Sequence, residues 1–358
     1  MKLDFAQISH LRCLSRVDLN FSSGFNVFFG ENGSGKTSLL EAIYFLCSAK
    51  SFRSHIARRV IQDSKKSVFV YGRGTRGGQP ITVGIERSST SHIQVKLNEV
   101  PVTRLSSLAE NFPIIASGPD IDSLIDDSAA RIKWIDWGLF HVEQFYFSYW
   151  KKMKNIHAQR NAALKSKGFF TTLDSWDELW FDVSCEISKY RDAYVSRVID
   201  IYQQNSFFDV DQLNFLFYQG WNGSLKDVLN QSRTKDLFDG FTHYGPHRAD
   251  LKISHRNIDA KHFLSRGQKK KIDFRLKVAQ SIDLHKQSGI KSLLLIDDVL
   301  SEYDEQSLKA LIEQLFSLGH QVFLTGIDCM PFERLLGKYP HKMFHVKHGV
   351  VEEISSWI

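Results

Sequence analysis

The sequence predicts an α/β chain in which a mixed sheet with flanking helices is interrupted by a mostly α-helical second lobe. Three observations predict it. Short segments that alternate apolar and polar residues fill 1–100. Apolar residues then recur every three or four positions through 121–203. A continuous apolar run, Leu293–Ile296, marks the return of α/β texture after about residue 240. The expected division is one discontinuous domain, 1–115 with 240–358, and an inserted lobe, 116–239.

The elements follow in order. Leu3–Ile8, Val17–Phe21, Asn26–Phe29, Val68–Gly72, Ile81–Glu86 and His92–Leu97 read as strands, separated by turn residues such as Ser22–Gly24 and Arg76–Gly78. One helix interrupts them, opening at the glycine-rich run near Gly33 and continuing through Leu39, Leu40, Ile43 and Leu46. In the insertion, Ile121, Ile125, Ile132, Ile135, Leu139, Val142, Tyr146, Tyr149, Met153 and Ile156 trace one helical face. After a break at Gly168 and Thr171–Thr172 the pattern resumes from Leu173 to Ile201. This predicts two long antiparallel helices; the first, if unbroken, is about 60 Å long. Ser307–Phe316 then reads as a helix and Gln321–Leu324 as a strand.

Composition bounds the function classes. A chain of 358 residues, 42% hydrophobic and 24% charged, is long enough to bury a core and is neither disordered nor fibrous. Its 27 Phe and 7 Trp imply large packed interfaces. The four cysteines form no C-x-x-C pair, and no signal peptide or transmembrane run is seen. The expectation is a soluble cytoplasmic protein with reduced thiols.

Chemistry enters at Gly30-Glu31-Asn32-Gly33-Ser34-Gly35-Lys36-Thr37, a full match to G-x-x-x-x-G-K-[ST] between a strand and a helix, followed by Ser38. Glycines let backbone N–H groups wrap phosphate oxygens, and the helix N-terminus adds partial positive charge. Lys36 is placed for the β- and γ-phosphates of ATP and the Thr37 hydroxyl for Mg²⁺. Asp297 and Asp298 follow the apolar strand, at the edge where open parallel sheets bind ligands. Asp297 is the expected Mg²⁺ holder and Asp298 the group that polarises the attacking water. Taken alone, the pair has a second, weaker reading as N-capping aspartates of the next helix, and the phosphate loop weakens it further.

Leu264-Ser265-Arg266-Gly267-Gln268 opens a further patterned helix about 30 residues before Asp297. Here the sequence resembles the ABC-type ATPase superfamily, whose signature is L-S-G-G-Q; Arg266 replaces the third residue. The resemblance implies an ABC-type P-loop ATPase head. It also implies that Ser265, Gly267 and Gln268 complete the nucleotide site of a second subunit. One loop and one signature per chain then imply an ATP-dependent homodimer, with Ser301–Asp304 fitting the D-loop.

About 230 residues separate Lys36 from Ser265. The detailed match is to the RecF recombination-repair family. It rests on the phosphate loop with Leu39-Leu-Glu-Ala-Ile-Tyr44, on Ser51-Phe-Arg53, on Gly245-Pro-His-Arg-Ala-Asp-Leu251, on the signature and on Leu295-Ile-Asp-Asp298. It covers the whole chain, the insertion loosely. Members are similar in being ATP-dependent DNA binders that act at single-strand gaps with RecR and RecO to help load RecA. In them slow hydrolysis reopens the dimer. The sequence departs from transporter ATPases in two places. No switch His follows the Walker B strand, so Thr325 or Asp328 has to serve if anything does. No clear Q-loop glutamine is seen, and Ala116–Asp120 occupies that region.

Residues 151–167 contain Lys151, Lys152, Lys154, Arg160, Lys165 and Lys167 and no acid. This suits non-specific contact with DNA phosphates; a solvated helix end reads equally well. Arg266–Lys277 and Arg53, Arg58 and Arg59 are further basic candidates. His243 and His247 read as structural, since Gly245-Pro246 breaks any metal-binding helix between them. The aromatics of Phe140–Trp150 read as packing surface. Two other functions were weighed: an ABC transporter ATPase subunit, against which the insertion and missing His argue, and a nucleotide switch that binds only protein.

Overall fold

The structure, a computed structural model, describes residues 1–90, 92–166, 170–204, 213–302 and 305–354. The chain divides into two compact units, Met1–Ile121 with Leu284–Ile358, and Asp122–Asp283. The second boundary in this division falls later than the change of texture at residue 240.

The first unit holds two six-stranded sheets. One is antiparallel, in the spatial order Leu14–Asn20, Lys2–Leu11, Ser67–Arg76, Gln79–Ser88, Ile93–Leu97, Val100–Pro101. The other is mixed, in the order Val350–Ile354, His341–Lys347, Phe25–Phe29, Gln321–Gly326, Leu293–Ile296, Ile114–Ser117. Its pairs are all parallel except the edge hairpin formed by the first two strands. Every residue of Phe25–Phe29, Leu293–Ile296 and Gln321–Gly326 is buried, as parallel strands covered on both faces require. The one polar residue of Phe25–Phe29 is satisfied: Asn26 accepts from the Ser22 N–H at 2.7 Å and donates to the Ser22 carbonyl at 3.0 Å. Helix Lys36–Ser48 packs on strands of both sheets and is buried on nearly all sides, which explains the Leu, Ala, Ile and Phe that flank Glu41.

The second unit is mostly helical, with Ser128–Val142, Tyr146–Lys165, Phe170–Gln204 and Leu225–Asp239. The expected first long helix is broken at Glu143–Phe145. The Glu143 N–H closes the helix before it on Leu139, and Tyr146 starts the next. The second long helix is continuous over 35 residues. A small antiparallel sheet, Ile258–Asp259, Asp250–His255, Asn214–Tyr218, was not expected from the sequence. Helix Arg266–Ser288 begins at the signature and runs across the unit boundary.

All four cysteines are free thiols. Among the described residues, no helix is long and apolar enough to cross a membrane.

Candidate nucleotide site and basic surface

The phosphate loop leaves the carboxyl end of Phe25–Phe29 and enters helix Lys36–Ser48. That helix is tied down at its middle. Glu41 is fully buried and accepts two bonds at 2.9 Å from the Arg12 guanidinium, together with one from the Ser51 hydroxyl. A buried carboxylate needs such partners. The bracket fixes the helix that carries Lys36 and Thr37. The motif match alone does not reveal this task of Glu41 and Ser51; its signal in the sequence is a Glu between the apolar pairs Leu39–Leu40 and Ala42–Ile43.

Within the loop, Glu31, Asn32 and Gly33 are exposed, while Gly30, Ser34, Gly35, Lys36 and Ser38 are buried. Gly33 has φ +79, and a Cβ there would meet nothing within 4 Å, so the loop is open on that side. The Ser34 Oγ is buried and has no hydrogen-bond partner among the described residues. Lys36 Nζ donates to the carbonyls of Gly30 at 2.7 Å and Glu31 at 2.9 Å. Neither acceptor is charged, so the ammonium keeps its charge for an anion. Burial pulls the Lys36 pKa below its usual value, against the opposing pull of Asp297 and Asp298. An orphaned hydroxyl, a cation that donates to neutral carbonyls and an open glycine cradle together fit a polyphosphate.

Strand Leu293–Ile296 delivers the aspartate pair to the same place. Asp297 accepts from the Thr37 hydroxyl at 2.9 and 3.2 Å and from the Thr325 hydroxyl at 2.6 Å. Its pKa is raised, chiefly by burial, with the two hydroxyls pulling the other way and Asp298 and Asp120 adding to the rise. Thr37 and Asp297 form a hard-oxygen pair of the kind that holds Mg²⁺ together with substrate phosphates and water. Among the described residues, no group of three or more His, Cys, Asp or Glu could hold a metal unaided. Asp298 has φ +55, and its backbone N–H donates to the Thr325 Oγ1 at 2.7 Å.

The segment expected to replace the Q-loop ends beside this pair. The Asp297 N–H donates to the Ser117 carbonyl at 2.8 Å, and Asp120 pairs with Arg53 at 2.6 Å. Arg53, one of the further basic candidates, is thus paired with a carboxylate of its own unit. Gly326, directly after Thr325, is closely packed: a Cβ there would lie 2.5 Å from Phe332 and 2.9 Å from Leu300. Asp328 instead accepts from the Met330 N–H at 3.1 Å.

The signature lies in the second unit. Ser265 and Gln268 form a reciprocal cap. The Ser265 N–H donates to Gln268 Oε1 at 2.9 Å and the Gln268 N–H to Ser265 Oγ at 3.3 Å. Ser265, Arg266 and Gly267 are exposed. Of the D-loop candidates, Tyr303 and Asp304 lie outside the described residues, while Ser301 and Glu302 end a short helix, Val299–Glu302.

The basic stretch 151–167 divides. Lys151, Lys152, Lys154 and Lys165 are exposed, and Lys167 lies outside the described residues. Lys151 sits over the Phe147 ring at 4.2 Å and Lys154 over Trp150 at 5.4 Å, so part of the aromatic cluster supports the lysines. Arg160 requires a correction: it is fully buried and cannot reach DNA. It donates to Asp177, Asp236 and Thr242 at 2.7–2.8 Å, because its position on the helix points inward onto two acids. The Arg266–Lys277 stretch is also partly spent internally. Lys269 pairs with Asp126, Lys277 with Asp273, and Arg275 bonds the Tyr202 carbonyl.

Both histidines are bonded within their own unit. His243 bonds Asp236 and Asp239, and His247 bonds the Thr242 carbonyl while packing on His157 and Trp180.

Comparison with known proteins adds independent findings. The RecF/RecN/SMC N-terminal domain family matches residues 3–352. Two proteins named DNA replication and repair protein RecF, from Shewanella piezotolerans and Shewanella pealeana, are 35% and 34% identical over 360 residues. These alignments cover 99% of this chain and 100% of each relative. A solved structure of the recombination mediator protein RecF with ATP, in the RecFOR pathway, superposes with a TM-score of 0.85 at 23% identity. It covers 99% of this chain and 98% of that one. The Smc head domain of Pyrococcus furiosus with an extended coiled coil, bound to the C-terminal domain of ScpA, superposes at 0.56 with 13% identity. It covers 99% of this chain and 96% of that one. The structural matches bear on the fold, which is that of an ABC-type ATPase head.

Proposed function

Because the chain belongs to the RecF family, within the wider RecF/RecN/SMC N-terminal domain family, we propose that it is an ATP-dependent DNA-binding protein of recombinational gap repair. In this reading ATP closes a homodimer of heads on DNA at single-strand gaps, and slow hydrolysis to ADP and phosphate, stimulated by DNA, resets it. RecO, RecR and RecA are the partners that the family implies, and the cytoplasm is its place of action. The functional head is 1–115 with 240–358, since the signature and the aspartate pair serve one pair of nucleotides even though 240–283 packs with the insertion.

The single observation that carries this reading is the convergence of Lys36, Thr37 and Asp297 beside the open loop. The loop amides and Lys36 hold the phosphates, and Thr37 and Asp297 hold Mg²⁺. When bound, Mg²⁺ supplies positive charge against the phosphate oxygens. Asp298 accepts the proton of the attacking water. Ser265 and Gly267, exposed on one chain, and the half-buried Gln268 are available to the nucleotide of another. Lys151, Lys152, Lys154 and Lys165 contact DNA phosphates without reading sequence.

The test is sedimentation and DNA binding with and without ATP, using Asp298→Asn to hold the bound state. ATP should produce a dimer and raise affinity for gapped over plain duplex DNA. If ATP changes neither property, the reading is wrong.

A further inference from the structure

We propose that Thr325 is the positioning residue of the aspartate pair: its hydroxyl clamps Asp297 and Asp298 in their working arrangement. The proposal rests on the ATPase reading above and names how that site is held in register.

Thr325 is fully buried at the end of strand Gln321–Gly326, hydrogen-bonded in parallel to Leu293–Ile296. A Thr hydroxyl has one proton to give and lone pairs to receive. Here the proton goes to Asp297 Oδ1 at 2.6 Å, and a lone pair receives the Asp298 N–H at 2.7 Å. One oxygen therefore ties the carboxylate of the first aspartate to the backbone of the second. Both ties matter physically. Asp297 is buried, and the Thr325 and Thr37 hydroxyls both donate to its carboxylate. Its grip on Oδ1 orients the carboxylate so that Oδ2 meets Thr37 at 2.9 Å. Asp298 adopts φ +55, a left-handed conformation that costs a non-glycine residue free energy and persists only when neighbours hold it. The bond from its N–H to Thr325 is such a hold, and it sets where the Asp298 side chain leaves the backbone.

Gly326 completes the argument. A side chain one position later would press on Phe332 and Leu300. Thr325 is the last residue of the strand with a side chain, and it bonds both aspartates.

The test compares Thr325→Val, which keeps the shape and loses the hydroxyl, with Thr325→Ser, which keeps the hydroxyl. Two readouts are taken on the full chain. In nucleotide-free protein, hydrogen exchange of the peptide containing Asp298 should be faster in the Val variant and near wild type in the Ser variant. In ATP hydrolysis, Val should lower kcat by about 10- to 100-fold with little change in KM, and Ser should restore most of it. Unchanged exchange together with unchanged kcat in Thr325→Val overturns the clamp. So does an equal loss in both variants, which would mark a packing role. A wild type that neither binds nor hydrolyses ATP overturns the ATPase reading instead, and the exchange readout still judges the clamp.

Discussion

Lys36 and Arg160 are both buried cations, and the sequence marked both as anion-binding. Their surroundings differ in one respect. Lys36 touches two neutral carbonyls and lies beside an orphaned Ser34 hydroxyl. Arg160 lies between two carboxylates, Asp177 and Asp236, the second fully buried. A cation whose partners are uncharged still has charge to offer a ligand. A cation already neutralised holds the fold together. The difference lies in what surrounds each residue, and no count of positive charge along the chain reveals it.

The largest expected effect tests the second half of this comparison. Arg160→Met leaves Asp236 buried with only His243 beside it and should cost about 3–5 kcal/mol of stability. Chemical denaturation measures it. DNA affinity per folded molecule should not change. Intact stability with lost DNA binding would reverse the assignment of Arg160.

Lys36→Met is the mirror experiment. Its carbonyl partners can turn to water, so stability should hardly move. ATP hydrolysis should fall by ~100-fold or more, because a charge aimed at the transferring phosphate is lost. A large loss of stability with normal ATP turnover would place Lys36 in the same class as Arg160.

The contrast also explains what was legible in the sequence. The phosphate loop and the aspartates were readable because they sit at fixed spacing from their strands: Phe25–Phe29 and Leu293–Ile296 are short apolar runs whose ends define the site edge. Arg160 was misread because its partners are far along the chain, 17 and 76 residues away. The same holds for the Arg12–Glu41 bracket, spanning 29 residues, and for the sheet strand Asn214–Tyr218, whose pairing partner is Asp250–His255. Thr325 was named only as a stand-in for the missing His. Its contact with Asp297 depends on two parallel strands lying side by side, which local pattern does not encode.

A smaller effect comes from His247, in the unit that contains Arg160. Burial, then the neighbouring His157, pushes its pKa down from 6.5 to about 3. A depressed pKa favours the neutral ring in the folded state, so the unfolded chain binds the extra proton between pH 6.5 and 3. The stability is present above pH 6.5 and drains away as pH falls through that window. Between pH 7 and 5 the wild type should lose about 1–2 kcal/mol more than His247→Gln, as measured by denaturation at the two pH values. Equal losses would mean that the ring titrates freely in the fold.

The smallest effect belongs to the exposed lysines, and it decides whether the remaining basic surface offers its charge as Lys36 does. Lys151 and Lys154 lie over Phe147 and Trp150, four residues earlier on the same helix, whereas Lys152 is exposed with no such ring contact. Replacing Lys152 by Gln should therefore leave the melting temperature unchanged. Each lysine that contacts a phosphate should lower the slope of log affinity against log salt by about 0.9 when neutralised. Anisotropy titrations with ATP at several salt concentrations measure that slope for each single variant and for the triple variant. A slope that does not move in the triple variant would make this stretch a solvated helix face. The DNA contacts would then belong to another surface, and Arg58 and Arg59, exposed in the first unit, would be the next pair to neutralise.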